Sequence, residues 1–87
     1  MDIEAQLSQA KTVKQKYESR ILQKRNVVGI GIGFRQKGGH YTDEVAIIIQ
    51  VQQKIPSPHL TPNDLLPLLL DGVPVDVVET GVIHAQS

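Results

Sequence analysis

One stretch of this chain alternates between bulk and glycine. Val28, Ile30, Ile32 and Phe34 are separated by Gly29, Gly31 and Gly33. Side chains on a β-strand point to opposite faces with a period of two, so Val27 to Phe34 reads as a strand with one bulky face and one bare face. A bare face lets another element approach closely. The helix that precedes the strand is the expected occupant.

Lys37-Gly38-Gly39-His40 is a turn signal. A second strand follows from Glu44 to Gln53. Val45, Ile47, Ile49 and Val51 share one face, and Ala46 and Ile48 are apolar on the other. Its first half is therefore expected to be buried on both sides. The two strands should form an antiparallel hairpin closed by Gly38 and Gly39.

Upstream, Ile3, Leu7, Ala10, Val13, Tyr17 and Ile21 recur every three or four residues, which predicts a helix from about Asp2 to Lys24. Asp2 is placed to cap it, Glu4 and Arg20 suit the two ends of its dipole, and Asn26 is a stop signal. The same helix fits a heptad register with Lys14 as its one charged core position, which is short for a coiled coil. Packing on its own sheet is the preferred reading.

Downstream, Pro56 and Pro58 mark a rigid connector. Thr61, Pro62 and Asp64 read as the start of a short helix that Pro67 ends. Leu65, Leu66, Leu68, Leu69 and Leu70 form a dense apolar patch, and Asp71-Gly72 is a turn. Val73 to Thr80 reads as a third strand, with Pro74 at an edge or at the strand entry. The expected fold is α+β: a long N-terminal helix on a small, mainly antiparallel three-stranded sheet with one short helix, in the order α-β-β-α-β. Residues 1–87 make one domain, comprising the helix (1–25), a sheet-forming region (26–81) and a tail (82–87).

Composition narrows the function classes. An 87-residue chain buries only about 60% of its unfolded surface. Without cysteine, no disulfide or thiolate–metal site supplements that core. Nine basic and nine acidic residues cancel, so no strong field recruits nucleic acid or an anionic membrane. No apolar run approaches the roughly 20 residues of a membrane span, and the first residues are too polar for a signal peptide. A cytoplasmic location and no cofactor are expected.

The candidate sites each have a bland reading that fits better. Gly29, Gly31 and Gly33 miss the dinucleotide spacing, since Phe34 and Gln36 stand where a third glycine is required, and no helix follows directly. His40, His59 and His84 lack the spacing of metal ligands. Asp76 and Glu79 differ by an odd number of positions and so face opposite sides of a strand, while Asp71 belongs to a turn. None of Ser8, Ser19, Ser57 and Ser87 sits in a glycine-rich nucleophile turn. Lys11, Lys14, Lys16, Arg20, Lys24 and Arg25 do not form one helical stripe. They read as stems lying along apolar surface with their charges in water. Gly29, Gly31, Gly33, Gly38, Gly39, Asp71 and Gly72 are thus expected to be structural.

Three stretches taken together carry a resemblance: Asn26 to Phe34, the run from Ile47 to Pro56, and Leu60 to Asp64 leading to Asp71-Gly72-Val73-Pro74-Val75 and on to Gly81. The succession resembles the N-terminal accessory region that precedes the protease domain of bacterial trypsin-like serine peptidases. That resemblance implies an accessory module without the peptidase, and it carries over no catalytic residue. The expected function is a non-catalytic interaction or assembly domain. Its partners would be itself, as a homo-oligomer, and/or another protein, such as a protease-like one, with Leu65, Leu66, Leu68, Leu69 and Leu70 as contact residues. Nucleic-acid or small-ligand binding, or an enzyme site built across subunits, are the alternative classes.

Overall fold

The computed structural model describes residues 2–55, 59 and 65–80. Helix α1 spans Ile3–Leu22, strands β1 and β2 span Val27–Lys37 and His40–Val51, and β3 and β4 span Leu69–Leu70 and Val73–Glu79. The fold is α+β, as the sequence predicts. The start of the short helix expected after Thr61 and the tail 82–87 fall outside the described residues; Leu65, Leu66 and Pro67, expected to close that helix, are not helical.

Asp2 caps α1, its Oδ1 accepting the Ala5 N–H at 2.7 Å. That satisfies one of the orphan amides at a helix start. The helix ends at Leu22, and Asn26 then adopts a left-handed conformation with φ 73°. Its side chain bonds both the N–H and the C=O of Gln53, while its own C=O accepts from Gln52. Asn26 therefore both turns the chain and ties the start of β1 to the end of β2.

The sheet order is β1-β2-β4-β3. Strands β1 and β2 pair antiparallel, β2 and β4 pair parallel, and β3 and β4 pair antiparallel. The sheet is mainly antiparallel, as expected, but it has four strands rather than three, and its central ladder is parallel. The segment from Val45 to Val51 is apolar enough to be central, and its free side accepts β4 rather than remaining an edge. A parallel pair needs a crossover of a dozen or more residues, and the stretch from Gln52 to Leu68 supplies it. Strand β3 was not foreseen because two leucines carry no period. Pro74 sits at the strand entry: the ladder with β2 begins one residue later, at Val75, so its missing N–H costs β2 nothing.

Both tight turns contain two consecutive residues in the left-handed region. Gly38 and Gly39 have φ 57° and 82°, and Asp71 and Gly72 have φ 48° and 83°. This is the geometry of a type I′ turn, whose twist matches that of the flanking strands.

The core lies on the bulky face. Ala10, Val13 and Ile21 of α1 are buried against Val45, Ile47, Ile49 and Val51, with Tyr17, Ile30, Ile32, Val75 and Val77 packed around them. The helix therefore does not lie on the glycine face, which corrects that expectation. A smooth bare surface gives a helix nothing to bury, whereas the isoleucines opposite supply the apolar area. A Cβ built at Gly31 would meet nothing within 4 Å, and one at Gly33 would lie 3.2 Å from Ile48 Cγ1. What fills the space over Gly33 is thus a neighbouring side chain of the same sheet.

Two irregularities interrupt the β1–β2 register, between Val27 and Gly29 and between Phe34 and Gln36. The first places Val27 against the core and leaves Val28 exposed. At the second, Arg35 pairs with Glu44 at 2.9 Å and its C=O accepts from Thr42 Oγ1 at 2.8 Å. Beyond it, Gln36 N–H reaches Asp76 Oδ2 at 2.7 Å even though β2 lies between their strands. Bulges bend a strand and increase its twist, and this one turns the end of the hairpin toward β4.

Candidate interaction surface

The leucine segment is divided by its backbone. Leu70 is 8% exposed and belongs to the core, and Leu66 packs against that core from the side. Leu68 and Leu69 are 84% and 61% exposed, and Leu65 is also exposed. Alternation along β3 explains the contrast between Leu69 and Leu70. Leu68 is held in place by its backbone, its C=O accepting the Val75 N–H at 3.0 Å. Beside the segment lies a hollow of about 230 Å³ whose apolar lining includes Val51, Ile55, Leu65, Leu66 and Val77 and whose polar lining includes Arg25 and Lys54. Of the five leucines expected to make contact, three are thus presented outward and two belong to the protein's own packing.

The turn that follows fixes this segment to the helix. The Asp71 carboxylate accepts from Lys16 Nζ at 3.0 Å and from the Tyr17 hydroxyl at 2.8 Å, and Asp71 C=O accepts from Gln9 Nε2. The Lys16 bond, with that from Tyr17, holds the Asp71 carboxyl below its ordinary range. Reciprocally, the bond to Asp71 holds the Lys16 ammonium above its ordinary range. Lys16 and Arg20 also sit 5.2 Å and 5.8 Å from the Tyr17 ring centre. Sequence reading placed Asp71 in a turn and Lys16 in solvent. It missed their meeting because the pair is 55 positions apart; nothing local signals such a contact.

The remaining carboxylates examined as acid/base candidates serve the backbone. Asp76 accepts from Gln36 N–H, and Glu79 Oε1 accepts from Lys54 N–H at 2.8 Å. Glu18 pairs with Lys14 one turn earlier in the helix. His40 and His59 are both exposed, and His84 lies outside the described residues. Among the described residues, no three of His, Cys, Asp or Glu are grouped to hold a metal ion. No described helix is long and apolar enough to cross a membrane. An open groove of about 860 Å³ runs between the first turns of α1 and the two hairpin turns, lined by Asp2, Ile3, Gln6, Lys37, Glu44 and Gly72 among others. Of its three carboxylates, Asp2, Asp43 and Glu44, the first and last are engaged, by the helix cap and by Arg35.

Residues 6–82 fit the family model of the NARROW LEAF 1 N-terminal domain. Protein NARROW LEAF 1 of rice, Oryza sativa subsp. japonica, is 38% identical over 76 residues, covering 82% of this chain and 13% of the rice protein. These findings overturn the resemblance to the accessory region of bacterial trypsin-like serine peptidases, and with it the bacterial and peptidase-associated assignment. Among the described residues, the stretches that carried that resemblance are Asn26 with β1, the second half of β2 from Ile47, and the Asp71-Gly72 turn with β4; Leu60 to Asp64 lie outside them. The described stretches report strand and turn geometry that more than one family can share.

Proposed function

The chain belongs to the NARROW LEAF 1 N-terminal domain family, and on that premise we propose that it is a non-catalytic domain that works by contacting other protein. The contact surface is Leu65, Leu68 and Leu69 with the hollow beside them. The observation that carries this reading is the exposure of Leu68 and Leu69 on a segment whose neighbour Leu70 is anchored in the core. An exposed apolar patch fixed to a rigid base is the usual form of a protein-binding surface. The ionisable groups support the non-catalytic part, since Asp71, Asp76, Glu79, Glu44 and Glu18 each hold a turn, a strand end or a helix turn together.

The occupant we propose is a folded domain that presents an apolar surface and stands in the same assembly. In the rice relative the matching stretch accounts for 13% of the chain, so there the domain has a much longer polypeptide beside it. A photo-reactive leucine analogue at position 69 should crosslink to one defined segment of such a partner. Leu69→Asp should release the partner without lowering the melting temperature. Hydrolysis of peptide or ester substrates that disappears on replacing His40 or Asp76 would defeat the non-catalytic reading. Unchanged assembly in Leu69→Asp would defeat the surface.

A further inference from the structure

The two edges of the sheet are defended unequally. Strand β3 is two residues long and follows Pro67 closely, and a short edge near a proline is a poor template for another strand. Strand β1, at the opposite edge, is 11 residues long and, among the described residues, pairs only with β2. From Val27 to Phe34 it carries no charge and no proline; Arg35 and Lys37 come only at its end.

Hydrogen bonds at the end of β2 fix which backbone groups of β1 face outward. Val51 C=O accepts from Thr80 N–H on the β4 side at 2.8 Å, and Gln52 N–H donates to Asn26 on the β1 side at 2.9 Å. Alternation along β2 then aims Gln50, Ile48 and Ala46 at β1. Their partners there are Gly29, Gly31 and Gly33. Ile30, Ile32 and Phe34 therefore turn their N–H and C=O groups away from the sheet, toward the open edge. The two register irregularities bound this regular run, and the three outward-facing residues are symmetric about Ile32.

We propose that the β1 edge binds a second copy of this chain through that copy's own β1, antiparallel, about a two-fold axis at Ile32, so that the two sheets become one. The proposal builds on the reading of the chain as a protein-contact domain but uses the edge opposite the leucines. In this register Ile30 lies opposite Phe34 of the second copy, Ile32 lies opposite its own counterpart, and Gly31 lies opposite Gly33. Each outward N–H and C=O from Ile30 to Phe34 gains a partner, and the contact is isologous and closed. Phe34, 43% exposed in the single chain, gains an isoleucine neighbour, a favourable cross-strand pair. Arg35 falls opposite Gly29, where there is no side chain to meet it.

Sedimentation equilibrium over a micromolar-to-millimolar range, joined to residue-resolved amide exchange, tests this. The samples are the 87-residue chain, Phe34→Lys and Leu69→Asp, each checked for folding by circular dichroism. A monomer–dimer equilibrium is expected, weakened by about two- to thirtyfold in Phe34→Lys through loss of two symmetric aromatic–aliphatic pairs. Leu69→Asp should leave it unchanged. In the unsubstituted chain, the amides of Ile30, Ile32 and Phe34 should exchange more slowly as concentration rises, while those of Gly31 and Gly33 keep their rates. A chain that stays monomeric throughout, or a dimer that forms with those three amides unchanged, overturns the proposal. A dimer lost in Leu69→Asp but kept in Phe34→Lys also overturns it, and assigns self-association to the leucine segment. Slowing only in the presence of a different protein assigns the edge to that protein instead.

Discussion

Gly31→Ala should stabilise this protein. Gly31 lies within β1 on the face opposite α1, its backbone is not left-handed, and a Cβ there would meet nothing within 4 Å. The substitution thus meets no opposing contact among the described residues. It removes conformational freedom from the unfolded chain, which is worth about 0.4–1 kcal/mol where the native backbone suits alanine. For a domain of this size that raises the melting temperature by about 2–8 °C. Gly33→Ala has the same unfolded-state gain, but its Cβ would sit 3.2 Å from Ile48 Cγ1, so Ile48 must move and the net change should be near zero. Gly31→Val should likewise cause no loss, where a helix on that face would make it cost about 1–3 kcal/mol. Calorimetric melting of the three variants is the assay. A Gly31→Val melting temperature several degrees below that of the unsubstituted chain would show the glycine face to be filled and would refute the placement of the core.

Four further outcomes follow from the same structure. Asp71→Asn keeps a residue that tolerates the left-handed backbone while removing the charge, so stability should fall modestly and the difference should shrink in high salt. Because the folded-state pKa of Asp71 is lowered, its contribution is complete above the ordinary carboxylate pKa and is lost as pH falls through the lowered value; stability of Asp71→Asn should converge on that of the unsubstituted chain in acid, as followed by denaturant melts across pH. Gly72→Ala forces a Cβ into a backbone with φ 83° and should cost about 1–2 kcal/mol in a denaturant melt. Gln6→Ala removes the side-chain oxygen that accepts the buried Val45 N–H at 2.9 Å; a loss of about 1–3 kcal/mol is expected, and an unchanged melt would mean water replaces the bond freely.

Much of the fold could be read in the sequence because its signals are local. The period of α1, the Asp2 cap, the Asn26 stop and both left-handed turns depend on residues within a few positions of one another. The glycine alternation correctly identified β1 but not the face that α1 covers, because bareness can mean either close approach or empty space. The parallel β2–β4 pair could not be read, since parallel and antiparallel strands share the same period. The leucine patch was legible as a run, yet its division into Leu66 and Leu70 inside and Leu65, Leu68 and Leu69 outside depends on where β3 pairs. The Lys16–Asp71–Tyr17 contact is long-range and had no sequence signal at all.

The contact reading is tested most directly by solvent accessibility of the leucine methyl groups, measured by NMR with a soluble paramagnetic probe. The isolated chain and the chain within an assembly recovered from its source would be compared. Leu70 serves as the internal control, since it is buried in the chain's own core. The account predicts that Leu68 and Leu69 methyls are strongly relaxed in the isolated chain and shielded in the assembly, while Leu70 is shielded in both. Equal relaxation of Leu68 and Leu69 in the two states would contradict it.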